Sequence, residues 1–229
     1  MKIFHGSLEQ ITEPHYGFGS PKTDYGLGFY CTENIELAKE WGCSEEKNGF
    51  ANEYEFDTSG LKILNLNQNY NILNWLAILL ENRTFEIRQD ISKEGKEYIL
   101  TNFLIDYKSY DVIKGYRADD SYFSFANAFL ENTISLQKLN AAMKLGLLGE
   151  QIVLKSEKSF NQIHYLQSHI SNKDIYFPQK IERDSKARKD FFNLKTKNDI
   201  KDKETIFLID IIRQEVTLND ARLQRTLSM

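Results

Sequence analysis

Three short stretches contain the residues whose types and spacing could support chemistry. The first is the tripeptide His5-Gly6-Ser7, which follows a short apolar run. The second is "TDYGLGFYCT", residues 23–32, in which two glycines precede an aromatic pair. The third is "EQIVL", in which the polar pair Glu150 and Gln151 begins an apolar run. Each stretch alone is more often structural than functional, so its meaning depends on what the fold brings together.

The glycines of the second stretch, Gly26 and Gly28, raise the question of a phosphate-binding loop. The dinucleotide fingerprint G-x-G-x-x-G needs a third glycine where this chain has Cys31, with a strand before the loop and a helix after it. Here a Pro-containing loop precedes the glycines and the β-type run of Phe29 and Tyr30 follows them. The stretch therefore predicts the start of a strand. Its glycines either serve a positive φ or let a ligand approach the backbone.

The elements around these stretches predict an α+β domain with mainly antiparallel pairing. The predicted strands cover residues 1–4, 28–32, 52–56, 61–66, 110–115 and 150–156. The predicted helices cover residues 32–42 with Thr32 as N-cap, 71–82, 120–131, 135–146, and a segment from Ser156 through Ile163. Residues 15–25 are rich in Gly, Ser, Pro and Asp and predict a loop.

The strand that begins at Glu150 can present only one residue of its polar pair to a given cleft. Successive side chains of a strand point to opposite faces, so Glu150 and Gln151 face opposite ways. Glu150 carries the charge that chemistry would favour, whereas Gln151 offers only hydrogen bonds. The spacing leaves open which of the two faces a site.

Length and composition indicate one soluble domain with a short extension. The chain has 229 residues, of which 41% are hydrophobic and 27% charged, an ordinary globular balance. The net charge of −4 argues against a broad polyanion-binding face, although a local basic groove is compatible with it.

Cysteine and histidine usage predicts reduced thiols and no metal site. Cys31 and Cys43 form no CxxC motif, and the four histidines lack zinc-ligand spacing. The N-terminus has no apolar signal core, and the longest apolar run, "ILNWLAILL", has nine residues. We therefore expect a cytoplasmic protein that does not contact a membrane.

Taken in order, the three stretches resemble the ADP-ribosyltransferase superfamily. The better match is the branch with a His, Tyr and Glu/Asp/Gln triad, which contains diphtheria toxin and the poly-ADP-ribose polymerases. A closer resemblance is to a small bacterial family of this superfamily, long known only as a domain of unknown function. Its pattern is found here in "FHGS", "TDYGLGFYCTENIELAKEWG", "NWLAILLENR", "YDVIKGYRADD", "EQIVLKSEKSF" and "RDSKARKDFF".

This resemblance covers residues 2–192 and implies a fold. We expect an ADP-ribosyltransferase-like domain over residues 1–192, built as a split, twisted β-sandwich with surrounding helices. A C-terminal extension over residues 193–229 is expected to pack on the same domain.

The resemblance also implies NAD as co-substrate and assigns roles to residues. His5 would bind the adenosine ribose, and Tyr30 would stack on the nicotinamide ring. The implied NAD-binding residues are His5, Gly6, Ser7, Asp24, Gly28, Tyr30 and Asp120. The implied catalytic residues are His5, Tyr30 and a third residue, which is Glu150 on the polymerase pattern and Gln151 on the pattern of the closer family. We favour Gln151 as the residue that faces the cleft.

Two further positions, the pair Asp119 and Asp120 and the residue Arg83, each allow two interpretations. Asp119 or Asp120 either caps the helix that follows or helps to bind NAD or the acceptor. Arg83 is either a solvated cation at a helix end or a ligand of the diphosphate. Trp41 and Trp75 are expected in the core.

The activity implied by the resemblance is mono-ADP-ribosylation of a macromolecule, either a protein or a nucleic acid. Members of the superfamily without export signals commonly act inside bacteria as toxins or phage-defence effectors, and a toxin would have a neutralising antitoxin partner. Two alternatives remain at this point. One is an inactive module that binds NAD or ADP-ribose, and the other is an NAD glycohydrolase with water as the acceptor.

Overall fold

The computed structural model describes residues 1–87, 89–118, 120–147, 149–197, 205–220 and 222–223. These residues form two open β-sheets with helices around them, which confirms the predicted α+β class. The strands are β1 (Lys2–Ser7), β2 (Phe29–Cys31), β3 (Gly49–Phe56), β4 (Ile63–Asn65), β5 (Val112–Tyr116), β6 (Glu150–Leu154) and β7 (Ile163–Ser171). The helices are α1 (Ile35–Gly42), α2 (Leu66–Asn69), α3 (Ile72–Asn82), α4 (Asp90–Phe103), α5 (Asp120–Leu130), α6 (Leu136–Ala142), α7 (Glu157–Phe160), α8 (Lys173–Thr196) and α9 (Leu208–Arg213).

The two sheets meet along β1 and β2. The first sheet is antiparallel with the order β1-β3-β7, and the second has the order β2-β6-β5-β4, in which only β4 and β5 run parallel. Phe4 of β1 and Thr32, next to β2, exchange backbone hydrogen bonds of 2.8 and 2.9 Å. An apolar cluster between the sheets takes side chains from both, among them Ile3, Tyr54 and Ile152.

The opposite face of the second sheet is covered by helices. The sequence of α3 is apolar on all sides, and its residues from Ile72 to Leu80 are buried. Trp75, as expected, lies in this core with 1% of its surface exposed, next to Val153 of β6 and Ile113 of β5 in one large apolar cluster. The chain therefore forms three layers, with the second sheet in the middle.

The predicted end of the first strand and the predicted start of the first helix are wrong in detail. Strand β1 continues through Ser7 rather than turning after Phe4, because His5 and Gly6 pair with Asn52 and Ala51 of β3. The N-cap of α1 is not Thr32, whose backbone is bound to β1. It is Asn34, whose side-chain oxygen accepts from the backbone N–H groups of Glu36 and Leu37 at 2.9 and 3.3 Å.

The predicted helix from Ser156 through Ile163 is also wrong. Ser156 does cap a helix, but α7 ends at Phe160. The next residues form β7, a nine-residue edge strand whose partner is β3. Its backbone hydrogen bonds to β3 outweigh the local helical signal.

The structure shows no break at residue 192, the end of the implied domain. Helix α8 runs from Lys173 to Thr196 and crosses this position. In the described part of the extension, Ile206, Leu208 and Ile211 are buried in the large cluster beneath the helices.

The extension should therefore contribute to the stability of the whole domain. Leu208 is fully buried and lies so close to α4 that a Cβ at Gly95 would meet Leu208 Cδ2 at 2.5 Å. Leu208→Ala is expected to lower the free energy of unfolding by about 2–5 kcal/mol. Leu218→Ala, at a position that is 39% exposed, should change it by less than about 0.5 kcal/mol. Urea unfolding measures both, and equal small effects would show that the extension is not part of the folding unit.

Candidate active-site cleft

A cleft of about 300 Å³ opens where the two sheets meet. Side chains or backbone from both sheets, from α1, from the end of α3 and from the segment after β5 form its wall. The lining residues are His5, Gly6, Thr23, Asp24, Tyr30, Trp41, Arg83, Arg117, Ala118 and Gln151. Five of these were predicted as site residues, and they come from positions as distant in the chain as His5 and Gln151.

The strand register explains why Tyr30 and Gln151 meet. Tyr30 of β2 pairs with Val153 of β6, so that both side chains lie on one face of the second sheet. Gln151 lies two residues before Val153 and shares that face, whereas Glu150 lies on the other. The sheet therefore selects Gln151 for the cleft.

The ring of His5 is held in place by a hydrogen bond and by stacking on a neighbouring ring. Its Nδ1 lies 2.7 Å from the backbone oxygen of Tyr30, and since a carbonyl only accepts, the proton is on Nδ1. The ring also stacks on Phe29, with 4.2 Å between the centroids. Burial lowers the pKa of His5, partly opposed by the hydrogen bond to Tyr30. The neutral ring therefore presents Nε2 as a hydrogen-bond acceptor.

The hydroxyl of Tyr30 is held by the turn that precedes β2. It lies 2.6 Å from both Thr23 Oγ1 and the Gly26 carbonyl oxygen, and it accepts from the Tyr25 backbone N–H at 3.0 Å. Gly26 takes a φ of 71°, a backbone conformation that favours glycine. Burial raises the pKa of Tyr30, so the hydroxyl stays protonated. The Tyr30 ring is therefore a fixed aromatic surface in the cleft wall, and its protonated hydroxyl is unsuited to act as a base.

Lys155 fastens the same turn to β6. Its ammonium group donates to the backbone oxygens of Tyr25 and Leu27, both at 2.5 Å. Burial lowers the pKa of Lys155 to about 8. The turn that carries Thr23 and Asp24 is thus held from two sides.

Asp24 and Gln151 form a buried polar pair in the cleft wall. Asp24 Oδ2 accepts from Gln151 Nε2 at 3.0 Å and from the backbone N–H of Ala118 at 2.8 Å. Asp24 is 6% exposed and Gln151 is 4% exposed. Burial raises the pKa of Asp24, while these two hydrogen bonds and the positive charges of Arg83 and Arg117 oppose the rise.

Two guanidinium groups give the cleft a positive wall. Arg83, the C-cap of α3, places Nε 3.7 Å from Asp24 Oδ1. The Arg117 guanidinium stacks on the Trp41 ring, with 3.5 Å between Cζ and the ring centroid. Arginine in such planar stacks is a preferred partner for phosphate groups.

The glycines of the predicted site are needed for packing. A Cβ at Gly6 would lie 2.2 Å from the Ala38 carbonyl oxygen of α1, and one at Gly28 would lie 2.7 Å from Val153 Cγ1. Gly6 still lines the cleft, whereas Gly28 lies beside β6 and outside the wall. Both positions require glycine because other backbone or side-chain atoms come too close.

Two further predicted site residues, Glu150 and Ser7, are not brought to the cleft. Glu150 accepts from Asn67 Nδ2 at 2.8 Å and lies 3.9 Å from Lys114 Nζ, on the other face of β6. Ser7 donates to the Glu9 backbone oxygen and accepts from Asn52 Nδ2 at 3.0 Å, so it shapes the loop after β1. Asp119 and the side chain of Asp120 lie outside the described residues.

Four cleft residues were missing from the predicted site, namely Thr23, Trp41, Arg117 and Ala118, whereas Arg83, for which two interpretations were open, lines the cleft. Arg83 and Arg117 each come at the end of an element, a position from which a cation can reach a cleft. Trp41 was expected in the core and is instead half-buried beneath Arg117. No local pattern distinguishes it from a core tryptophan.

The comparisons with known proteins identify a family without a known function. Residues 1–165 match the family model described as "Protein of unknown function (DUF3990)", and the chain therefore belongs to this family. The matched range contains all the lining residues named above. No curated protein and no solved structure matches the chain. Among the described residues, no helix combines the length and the apolar character needed to span a membrane.

Proposed function

We propose that the protein is a mono-ADP-ribosyltransferase with the split β-sandwich of that superfamily, and that the cleft binds NAD. One observation carries this proposal. His5, Tyr30 and Gln151 come from three separate strands and line a single cleft in the order of the His, Tyr and Gln triad that the sequence resembles.

The chemistry of the wall suits the parts of NAD. Tyr30 offers an aromatic face to the cationic nicotinamide ring, with its hydroxyl already bound. His5 Nε2 and Gln151 Oε1 are acceptors for ribose hydroxyl groups. Arg83 and Arg117 supply positive charge for the diphosphate. The volume of about 300 Å³ lies at the lower end of the range of ligand pockets.

The reaction follows from these roles. The bond between the nicotinamide nitrogen and ribose C1′ breaks, and its electron pair leaves with nicotinamide. Positive charge develops on the ribose, and a lone pair of the acceptor forms the new bond to C1′ while the acceptor releases a proton. The protein holds both ends of NAD and stabilises the positive charge in a preorganised polar site.

We extend the proposal to the biological role that the resemblance implies. The protein acts in the bacterial cytoplasm as a toxin or phage-defence effector, modifies a protein or nucleic acid, and is neutralised by an antitoxin protein. An inactive NAD-binding module is the second candidate, and the observation that favours it is the uncharged Gln151 in the cleft where Glu would be expected.

The test is incubation of the full chain with cell extract and NAD labelled in its adenylate phosphate. Free nicotinamide and macromolecule-bound label are followed for wild type, His5→Ala and Tyr30→Ala. The matched controls are His164→Ala and Tyr16→Ala, at exposed positions outside the cleft wall.

Label transfer that is lost in the two cleft variants and kept in the two controls supports the transferase. Nicotinamide release without transfer would identify a glycohydrolase instead. Binding of NAD without turnover would leave the inactive module, and the absence of NAD binding would contradict the whole proposal.

A further inference from the structure

We propose that the Asp24 carboxylate supplies, through Gln151, the negative charge that the cleft needs, so that the two side chains act as one unit. This inference rests on the proposed function and answers the difficulty that a neutral Gln151 raises. Gln151 is the catalytic residue of the unit, because it faces the ligand. Asp24 is its positioning residue, because it acts through the amide.

The hydrogen bonds fix how the unit is arranged. Asp24 Oδ2 accepts hydrogen bonds from both the Ala118 backbone N–H and Gln151 Nε2. Since the carboxylate accepts from the amide NH2 group of Gln151, the amide oxygen Oε1 is the end that remains for a ligand hydroxyl. A glutamine without this partner could rotate its amide and present either end.

Burial lets the charge of Asp24 act beyond Gln151. The carboxylate and the amide are both almost entirely removed from solvent, where screening is weak. A hydrogen bond from the amide to an anion also polarises the amide and makes its oxygen a stronger acceptor. Positive charge that develops on the ribose therefore meets a negative field that the glutamine alone would not provide.

The positive charges of Arg83 and Arg117 oppose this field in part, and Oδ2 is the carboxylate oxygen that holds Gln151. Arg83 approaches the other carboxylate oxygen, Oδ1, at 3.7 Å, beyond ordinary hydrogen-bond distance. Arg117 is held in its stack on Trp41. Oδ2, the oxygen that binds Gln151, accepts from two N–H donors, as an ionised carboxylate does.

The arrangement can be tested by exchanging the charge between the two positions. In Asp24→Asn, the oxygen of the new amide takes the place of Oδ2 and accepts from both the Ala118 N–H and Gln151 Nε2, so the charge is lost while both hydrogen bonds are kept. In the double variant Asp24→Asn/Gln151→Glu, the amide introduced at position 24 donates to the new carboxylate. The charge is restored at position 151, which faces the ligand, and a hydrogen bond between the two side chains is kept.

We expect Asp24→Asn to lower kcat for nicotinamide release by about 10²-fold while KM for NAD changes by less than about threefold. The double variant should recover to within about tenfold of wild type. Glu53→Gln is the control, because it removes a buried carboxylate on β3 outside the cleft and should alter stability but not kcat. A double variant as inactive as Asp24→Asn, or an unchanged kcat in Asp24→Asn, would overturn the inference.

Two outcomes separate this inference from the proposed function. If wild type releases no nicotinamide, the proposed function fails and this inference fails with it, whereas release without recovery in the double variant removes the inference alone. Should Asp24→Asn fail to fold, as judged by circular dichroism, the folded double variant decides. The inference requires its kcat to stay within about tenfold of wild type, because the carboxylate has only moved from one member of the pair to the other. A larger loss, or a gain of more than about tenfold, would overturn the inference.

Discussion

Replacement of Gln151 by alanine is expected to lower the rate of nicotinamide release from NAD by about 10²–10³-fold. The change removes the acceptor that we propose for the ribose hydroxyl, together with the hydrogen bond between residue 151 and the Asp24 carboxylate. The readout is free nicotinamide, measured with saturating NAD and purified full-length protein. Because the side chain is 4% exposed, thermal unfolding of the variant must be measured in parallel.

The neighbouring residue provides the matched comparison. Glu150→Ala removes a carboxylate that is bound to Asn67 and lies on the other face of β6. It is expected to change the rate by less than about threefold, as for a substitution outside the site. If Glu150→Ala abolished nicotinamide release and Gln151→Ala did not, the third catalytic residue would be Glu150, and the face of β6 that meets the ligand would be the opposite one.

Replacement of Tyr30 by alanine is expected to weaken NAD binding by about 1–3 kcal/mol, or roughly 5- to 150-fold in Kd. The reason is the loss of the aromatic face in the cleft wall. Titration calorimetry with NAD measures the effect directly.

Tyr30→Phe separates the ring from the hydroxyl. It keeps the aromatic face but removes the bonds to Thr23 and Gly26 and leaves the Tyr25 N–H without this acceptor. We expect its Kd to stay within about threefold of wild type and its free energy of unfolding to fall by about 1–2 kcal/mol. A Kd equally weakened in both variants would mean that the hydroxyl, and not the ring, contacts the ligand.

The sequence predicts those elements whose own pattern is strong. Helix α3 combines an Asn71 cap with an apolar run that only Asn74 interrupts, and the segment that contains β6 is the clearest apolar strand in the second half. The same pattern shows that Glu150 and Gln151 face opposite ways. Which of them faces the cleft depends on the pairing of β6 with β2, because only this register places Tyr30 on the face of Gln151.

Other elements depend on contacts that no local pattern contains. Strand β7 has exposed side chains on both faces, and its pairing with β3 determines its conformation. Helix α4 was not predicted, and its N-cap, Gln89, makes no side-chain capping bond. Both elements are defined by their packing partners more than by their own residues.

The candidate site likewise contains residues that the sequence could predict and residues that it could not. His5, Tyr30 and Gln151 could be named because their stretches resemble a family pattern. Arg117 and Trp41 could not, because their role depends on the meeting of α1 and the segment after β5. Asp24 was expected to bind NAD. Its hydrogen bonds to Gln151 and Ala118 arise only in the folded chain, across 127 and 94 residues.

The most direct test of the central claim is calorimetric titration of NAD into wild type and into the triple variant His5→Ala/Tyr30→Ala/Gln151→Ala, with folding verified by thermal unfolding. If the cleft is the NAD site, wild type binds one NAD per chain and the folded triple variant gives no binding heat. Unaltered binding by the triple variant would place NAD elsewhere on the protein. The absence of binding by wild type would contradict the account as a whole.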